Sequence, residues 1–205
     1  MTRDLEALLN EIRACRACRE SPAGARLPHE PRPVLRASAT ARIAVCGQAP
    51  GTRVHASGVP FTDPSGVRLR AWMGVSEAEF YDTARISIIP MGFCFPGLDA
   101  GGADRPPRPE CAPLWRDRLF ELMPAIDLLL LVGGYAHRWH WRFTGDDRSV
   151  GGTVADWRAG LTVSTGAKMI PLPHPSWRNN AWLKRNPWFE AELLPVLRRE
   201  VRGRL

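Results

Sequence analysis

The chain has 205 residues, 44% of them hydrophobic and eight of them tryptophan, a composition that excludes a disordered chain. No apolar run approaches the roughly 18 residues a membrane span needs, and "IDLLLLV" is far too short, so no membrane association is expected. Its 28 Lys and Arg stand against 21 Asp and Glu for a charge of +7; only Lys168 and Lys184 are lysines, and the basic balance favours a polyanion such as DNA or RNA.

The N-terminus, "MTRDLEALLNEIRACRACRE", is charged and has Leu5, Leu8, Leu9 and Ile12 at helical spacing, which predicts a helix over residues 2–20. It does not read as a signal sequence, so a cytoplasmic location is expected. A Pro/Arg-rich segment then runs irregularly to residue 40, and the first strand is expected at Ala41–Cys46. "SGVRLRAWMGV" reads as a helix with Ser65 as its N-cap. "ARISIIP", residues 84–90, reads as the second strand, and a Gly/Pro-rich connection leads to a helix over Cys111–Met123 with Leu114, Trp115, Leu119 and Leu122 on one face. The continuous apolar run at 126–133 fits a strand covered on both sides. "AKMIPLP", residues 167–173, is the fourth strand, and "NPWFEAELLPVLRREV" forms the last helix.

Strand alternating with helix argues for an α/β fold, a three-layer α/β/α sandwich around a central, mainly parallel four-stranded sheet, and the length fits one domain over residues 1–205. Ligands of such sheets bind beyond the carboxyl ends of the strands. Three strands end in Gly/Pro-rich loops, "GQAPG", "MGFCFPG" and "HPSWRNN", which should meet at one edge. The first loop is stiff and poor in side chains, yet it delivers an aromatic, Phe61, and an acid, Asp63; it suits a slot for a flat ring with a carboxylate beside it. No Gly-rich loop ends in Gly-Lys-Ser/Thr, which argues against a phosphate-cradling nucleotide enzyme.

Of the five cysteines, Cys46 lies inside a strand and reads as core. Cys15 and Cys18 form C-x-x-C, while Cys94 and Cys111 flank the Gly/Pro-rich connection. Two such pairs suit a [4Fe–4S] cluster or a four-thiolate zinc site, and four unrelated buried thiols with nothing bound are the plainer alternative.

"GQAPG … GVPFTDPSG" and "HPSWRN", in that order and at the ends of the first and last strands, resemble the two signature motifs of the uracil-DNA glycosylase superfamily. With the four cysteines, the pattern is most similar to that superfamily's iron–sulfur group (families 4 and 5), and the similarity runs from Cys15 to the final helix. Gln48 stands where family 4 usually has Glu, and the asparagine that reads uracil in many relatives would fall near Pro90.

The resemblance implies a DNA-repair hydrolase that flips uracil from DNA, cuts its N-glycosidic bond with water and leaves an abasic site. It implies a ring slot built from Gly47, Ala49, Pro50, Gly51 and Phe61, with Phe61 as stacking face rather than ordinary core. Backbone groups around Met91, Gly92 and Phe93 would take over base recognition. His174 would donate to the leaving uracil oxygen, Asp63 would stabilise the sugar cation and orient water unless it merely caps a helix, Gln48 could hold the same water, and His55 is a weaker candidate. Pro175, Ser176, Trp177, Arg178 and Asn179 would enter the DNA as a wedge, the alternative for Trp177 being packing on the last helix. Cys15, Cys18, Cys94 and Cys111 would hold a structural [4Fe–4S] cluster, and the protein would act as a monomer. Capture of deaminated or abasic sites without turnover, or an iron–sulfur redox role, are the competing readings.

Overall fold

The computed structural model describes residues 2–141, 149–162 and 166–205. Four strands, β1 (Ile43–Cys46), β2 (Ile86–Ile88), β3 (Leu128–Val132) and β4 (Lys168–Leu172), form one sheet in the order β2-β1-β3-β4. Every pairing is parallel, with Ile43 opposite both Ile86 and Leu128, and Leu128 opposite Lys168. The all-parallel sheet needs cover on both faces, and the alternation of side chains along each strand supplies two cores.

On one face Ile43, Val45, Leu128, Leu130, Val132, Ile170 and Leu172 pack beneath α4 (Pro64–Met73) and α10 (Leu194–Arg202), through Leu69, Trp72, Met73, Leu194, Leu197 and Val201. On the other, Ala44, Cys46, Leu129, Leu131 and Met169 meet Ala112 of α6 (Cys111–Glu121) and Ala136 of α7 (Gly134–His140). A third cluster joins Leu5, Leu8 and Ile12 of α1 (Thr2–Arg13) to Leu119 and Met123. No helix among the described residues is long and apolar enough to cross a membrane.

Several boundaries differ from the sequence expectation. The helix expected over 2–20 breaks after Arg13, where Cys15 N–H closes a tighter turn on Ile12 O at 3.1 Å, and resumes as the short α2 (Ala17–Glu20). The N-cap of α4 is Asp63, not Ser65: its carboxylate accepts from Gly66 N–H at 3.2 Å and Pro64 opens the helix, where a missing amide hydrogen costs nothing. The last helix is not continuous, because Pro195 supplies no amide hydrogen, and a π-helical turn, Phe189–Leu193, precedes α10. Leu114 lies on the exposed side of α6, and Arg116 takes an interior position. The sequence reading passed over α3 (Thr52–Ser57), α5 (Glu77–Tyr81), α8 (Val150–Ala155) and α9 (Asn180–Arg185).

At the carboxyl end of the sheet, His137 of α7 is buried, and its Nε2 lies 2.9 Å from Leu131 O and 3.1 Å from Leu172 O. Both neighbours only accept, so Nε2 carries the hydrogen and lashes β3 to β4 close to the site loops. Burial drops its pKa to about 4.

Candidate active site

The loops after β1 and β4 converge on one cavity. Gly47, Gln48, Ala49, Pro50, Gly51, Phe61, Asp63 and His174 all line it, joined by Pro90 from the end of β2. Asp63 and His174, far apart in the chain, therefore face the same space.

Phe61 is the strained member. It is the one non-glycine with positive φ among the described residues, at 56°, a conformation that costs on the order of 1–3 kcal/mol and gathers at functional sites. Two glycines make room for it: a Cβ at Gly47 would lie 3.2 Å from the ring, and one at Gly66 would lie 1.8 Å from the Phe61 carbonyl. Tyr81 OH fixes the preceding turn by donating to Pro60 O at 2.7 Å, and Phe80 meets the Phe61 ring edge-on at 6.0 Å. The ring is half-buried and lines the cavity.

His174 is held from both sides. Asn179 Nδ2 donates to its carbonyl at 2.7 Å, closing the loop, and Arg68 of α4 donates to Ser176 O at 3.2 Å and to Asn180 Oδ1 at 2.8 Å. Arg68 thus ties the helix capped by Asp63 to the loop opened by His174. Burial lowers the His174 pKa; Asp63 and Asp104 oppose that, and Arg178 adds to it. A ring kept neutral retains one N–H to donate and one nitrogen to accept. Pro175 is buried and Ser176 half-buried, but Trp177 is 73% exposed, with Arg178 beside it, its Cζ 6.0 Å from the indole centroid. Trp177 does not pack on the last helix.

The residues after β2 divide. Pro90 faces the cavity, but Met91 N–H donates to Gly47 O and Gly92 N–H to Gln48 O, both at 2.9 Å, while Phe93 N–H points to Cys111 Sγ at 3.3 Å. The Met91 and Gly92 amides fix the first loop, and all three amides are spent; they do not open on the ring slot. The groups left open there are side chains: among the described residues, Gln48, Ser65, Asp104 and His174 make no side-chain hydrogen bond, and all line the cavity. Ser65 and Asp104 were missed by sequence reasoning. Ser65 sits just past Asp63 and could have been found from the cap, whereas nothing local marks Asp104. His55 lies instead against His29 and Phe95, with ring centroids 4.6 and 5.5 Å away.

Behind Pro90, Arg116 is fully buried. Its Nη1 donates to Ile89 O and Pro90 O at 3.1 Å, and its Nη2 lies 3.1 Å from Cys46 Sγ and 2.6 Å from His140 Nε2. It stiffens the cavity wall from inside.

Cys15, Cys18, Cys94 and Cys111 line a second cavity, of about 400 Å³, with Gly92 and Phe93 on its wall. All four are free thiols, and burial pushes Cys94 and Cys111 up to about 12. Among the described residues no three His, Cys, Asp or Glu are drawn together to hold one metal ion.

A family model described as the uracil DNA glycosylase superfamily matches residues 36–198, from the bridge beside β2 to α10. The matched span contains both site loops and every strand. Members of that superfamily are DNA glycosylases, hydrolases of base excision repair. The chain belongs to the uracil DNA glycosylase superfamily.

Proposed function

We propose that this chain excises uracil from DNA as a monofunctional glycosylase, leaving an abasic site. The observation that carries the reading is Asp63 and His174 lining one cavity with the Phe61 ring. Flipping a nucleotide costs a few kcal/mol, and stacking on Phe61 returns about 1–3 kcal/mol of it. The Gln48 amide and the Ser65 hydroxyl are free to meet the polar edge of the base.

As the glycosidic bond lengthens, negative charge collects on the base oxygens and positive charge on the sugar. His174, neutral and half-buried, donates its N–H to the base oxygen without reorganising. Asp63 places a carboxylate toward the cation while its Oδ1 stays anchored to the end of α4. Trp177, exposed beside Arg178 on the loop that His174 opens, is the wedge that fills the gap in the stack, with Arg178 available to phosphate.

The four cysteines fit a [4Fe–4S] cluster better than one zinc. Zinc–sulfur bonds of about 2.3 Å draw four thiolates tightly together, whereas among the described residues these are not so gathered. Held there, the cluster supplies a cross-link rather than chemistry. It would tie Cys15 and Cys18, beyond α1, to the Cys94 loop whose Met91 and Gly92 amides fix the ring slot.

Release of free base from a panel of oligonucleotides carrying uracil, hypoxanthine or xanthine tests the reading. Uracil should leave fastest, with binding that weakens steeply as salt rises. Tight binding with no base released from any member would instead make the protein a damage-capturing factor.

A further inference from the structure

The connection between Phe95 and Cys111 delivers an acid to the site. Residues 97–105 fold back on themselves. The Asp99 carboxylate accepts from Gly101 N–H and Ala103 N–H at 2.9 Å, Asp99 N–H donates to Ala103 O at 2.8 Å, and Arg105 N–H donates to Gly97 O at 2.9 Å. Leu98 and Asp104 pair across this loop as an antiparallel bridge, and Gly102 makes the turn at φ 76°. The closed loop sets Asp104 at the rim of the cavity lined by Asp63 and His174. Its Oδ2 lies against Gly51, where a Cβ would come within 3.0 Å, so the first site loop lacks a side chain just where this carboxylate stands. Among the described residues the Asp104 carboxylate makes no hydrogen bond, whereas Asp63 commits one oxygen to Gly66.

We propose that Asp104 is a second catalytic carboxylate, the base that takes the proton of the attacking water, while Asp63 caps α4 and faces the cation. The inference rests on the glycosylase reading. With the base against Phe61 and Gly47, the sugar stays at the mouth, where Asp104 stands. The C1′–N bond breaks and its electron pair leaves with the base; the water oxygen bonds to C1′, and its proton passes to Asp104 and from there to the departed base anion. Arg178, His174 and Asp63 are the titratable and charged groups around it. Partial burial raises the Asp104 pKa, Arg178 and His174 pull it down, and Asp63 adds to the rise. A protonated Asp104 cannot accept, so the rate should fall at acid pH, beginning above the ordinary carboxylate range.

The test is single-turnover uracil release from a single-stranded oligonucleotide, from about pH 5 to 9. Wild type would be compared with Asp104→Asn, Asp104→Glu and Asp63→Asn, with thermal midpoints as a check on folding. Asp104→Asn should lose about 10²-fold or more and its acid limb, while binding of an abasic-site oligonucleotide stays within about twofold. Asp104→Glu should regain part of both, and Asp63→Asn should be slowed with the limb retained. An Asp104→Asn rate within about twofold of wild type, or a uniform loss with the wild-type acid limb intact, would overturn this assignment alone. A wild-type chain that binds but releases no base would overturn the glycosylase reading and this one together.

Discussion

Two cavities share one wall. The residues from Pro90 to Cys94 turn Pro90 toward the Asp63–His174 cavity and Gly92, Phe93 and Cys94 toward the thiol cavity. The first is open, and among the described residues its Gln48, Ser65, Asp104 and His174 make no side-chain hydrogen bond. The second is apolar apart from Arg108 and Glu110, which pair with each other at 2.9 Å, and it presents buried thiols. Polar side chains not spent on the fold are free to meet a ligand, whereas thiols set among apolar neighbours offer no such polar edge. On the proposed reading, chemistry belongs to one cavity and cross-linking to the other.

Removing the imidazole should separate them most sharply. His174→Ala should cost about 2.7–4 kcal/mol in the barrier, a roughly 10²–10³-fold slower base release in single turnover, with an unchanged thermal midpoint. Acid should reach the scaffold as well as the chemistry. His137 is held neutral with its pKa lowered from 6.5 to about 4, so the unfolded chain binds the extra proton first. Stability present above pH 6.5 should therefore be lost as the pH falls toward 4, by about 3 kcal/mol, and His137→Gln should flatten that dependence in denaturant titrations at several pH values.

Phe61→Ala should weaken binding of an extrahelical base by about 1–3 kcal/mol, seen by comparing uracil with abasic oligonucleotides. Because the native φ is strained, Phe61→Gly should recover stability relative to Phe61→Ala without recovering binding. The thiol cavity should give the smallest catalytic effect. Cys94→Ser should abolish any visible charge-transfer absorption and lower the thermal midpoint by about 4–8 °C if the lost cross-link contributes about 2 kcal/mol, while a wild-type protein with no iron, sulfide or zinc would remove the cluster from the account.

Much of this was legible in the chain because strand ends and turn chemistry are local. The run Leu128–Val132, buried at every residue, announces a two-sided strand, and "GQAPG" and "HPSWRN" mark where the first and last strands stop. The Ser76–Glu79 capping box of α5 was readable too, but so short a helix gives no hydrophobic period to notice. Asp104 and Arg116 were not legible. The first owes its position to a loop that closes on itself ahead of Cys111, and the second to carbonyls at the end of β2. Long-range geometry also reassigned Met91 and Gly92, whose amides are taken by the first loop. No spacing rule predicts which of two adjacent cavities a Gly/Pro-rich loop will face.

The most direct test is the structure of His174→Ala bound to a single-stranded oligonucleotide with one central uracil. The ring should lie on Phe61, with its oxygen in the space vacated by the imidazole and C1′ toward Asp63 and Asp104. A uracil found outside this cavity, for example in the groove between Tyr135 and Pro107, would contradict the assignment.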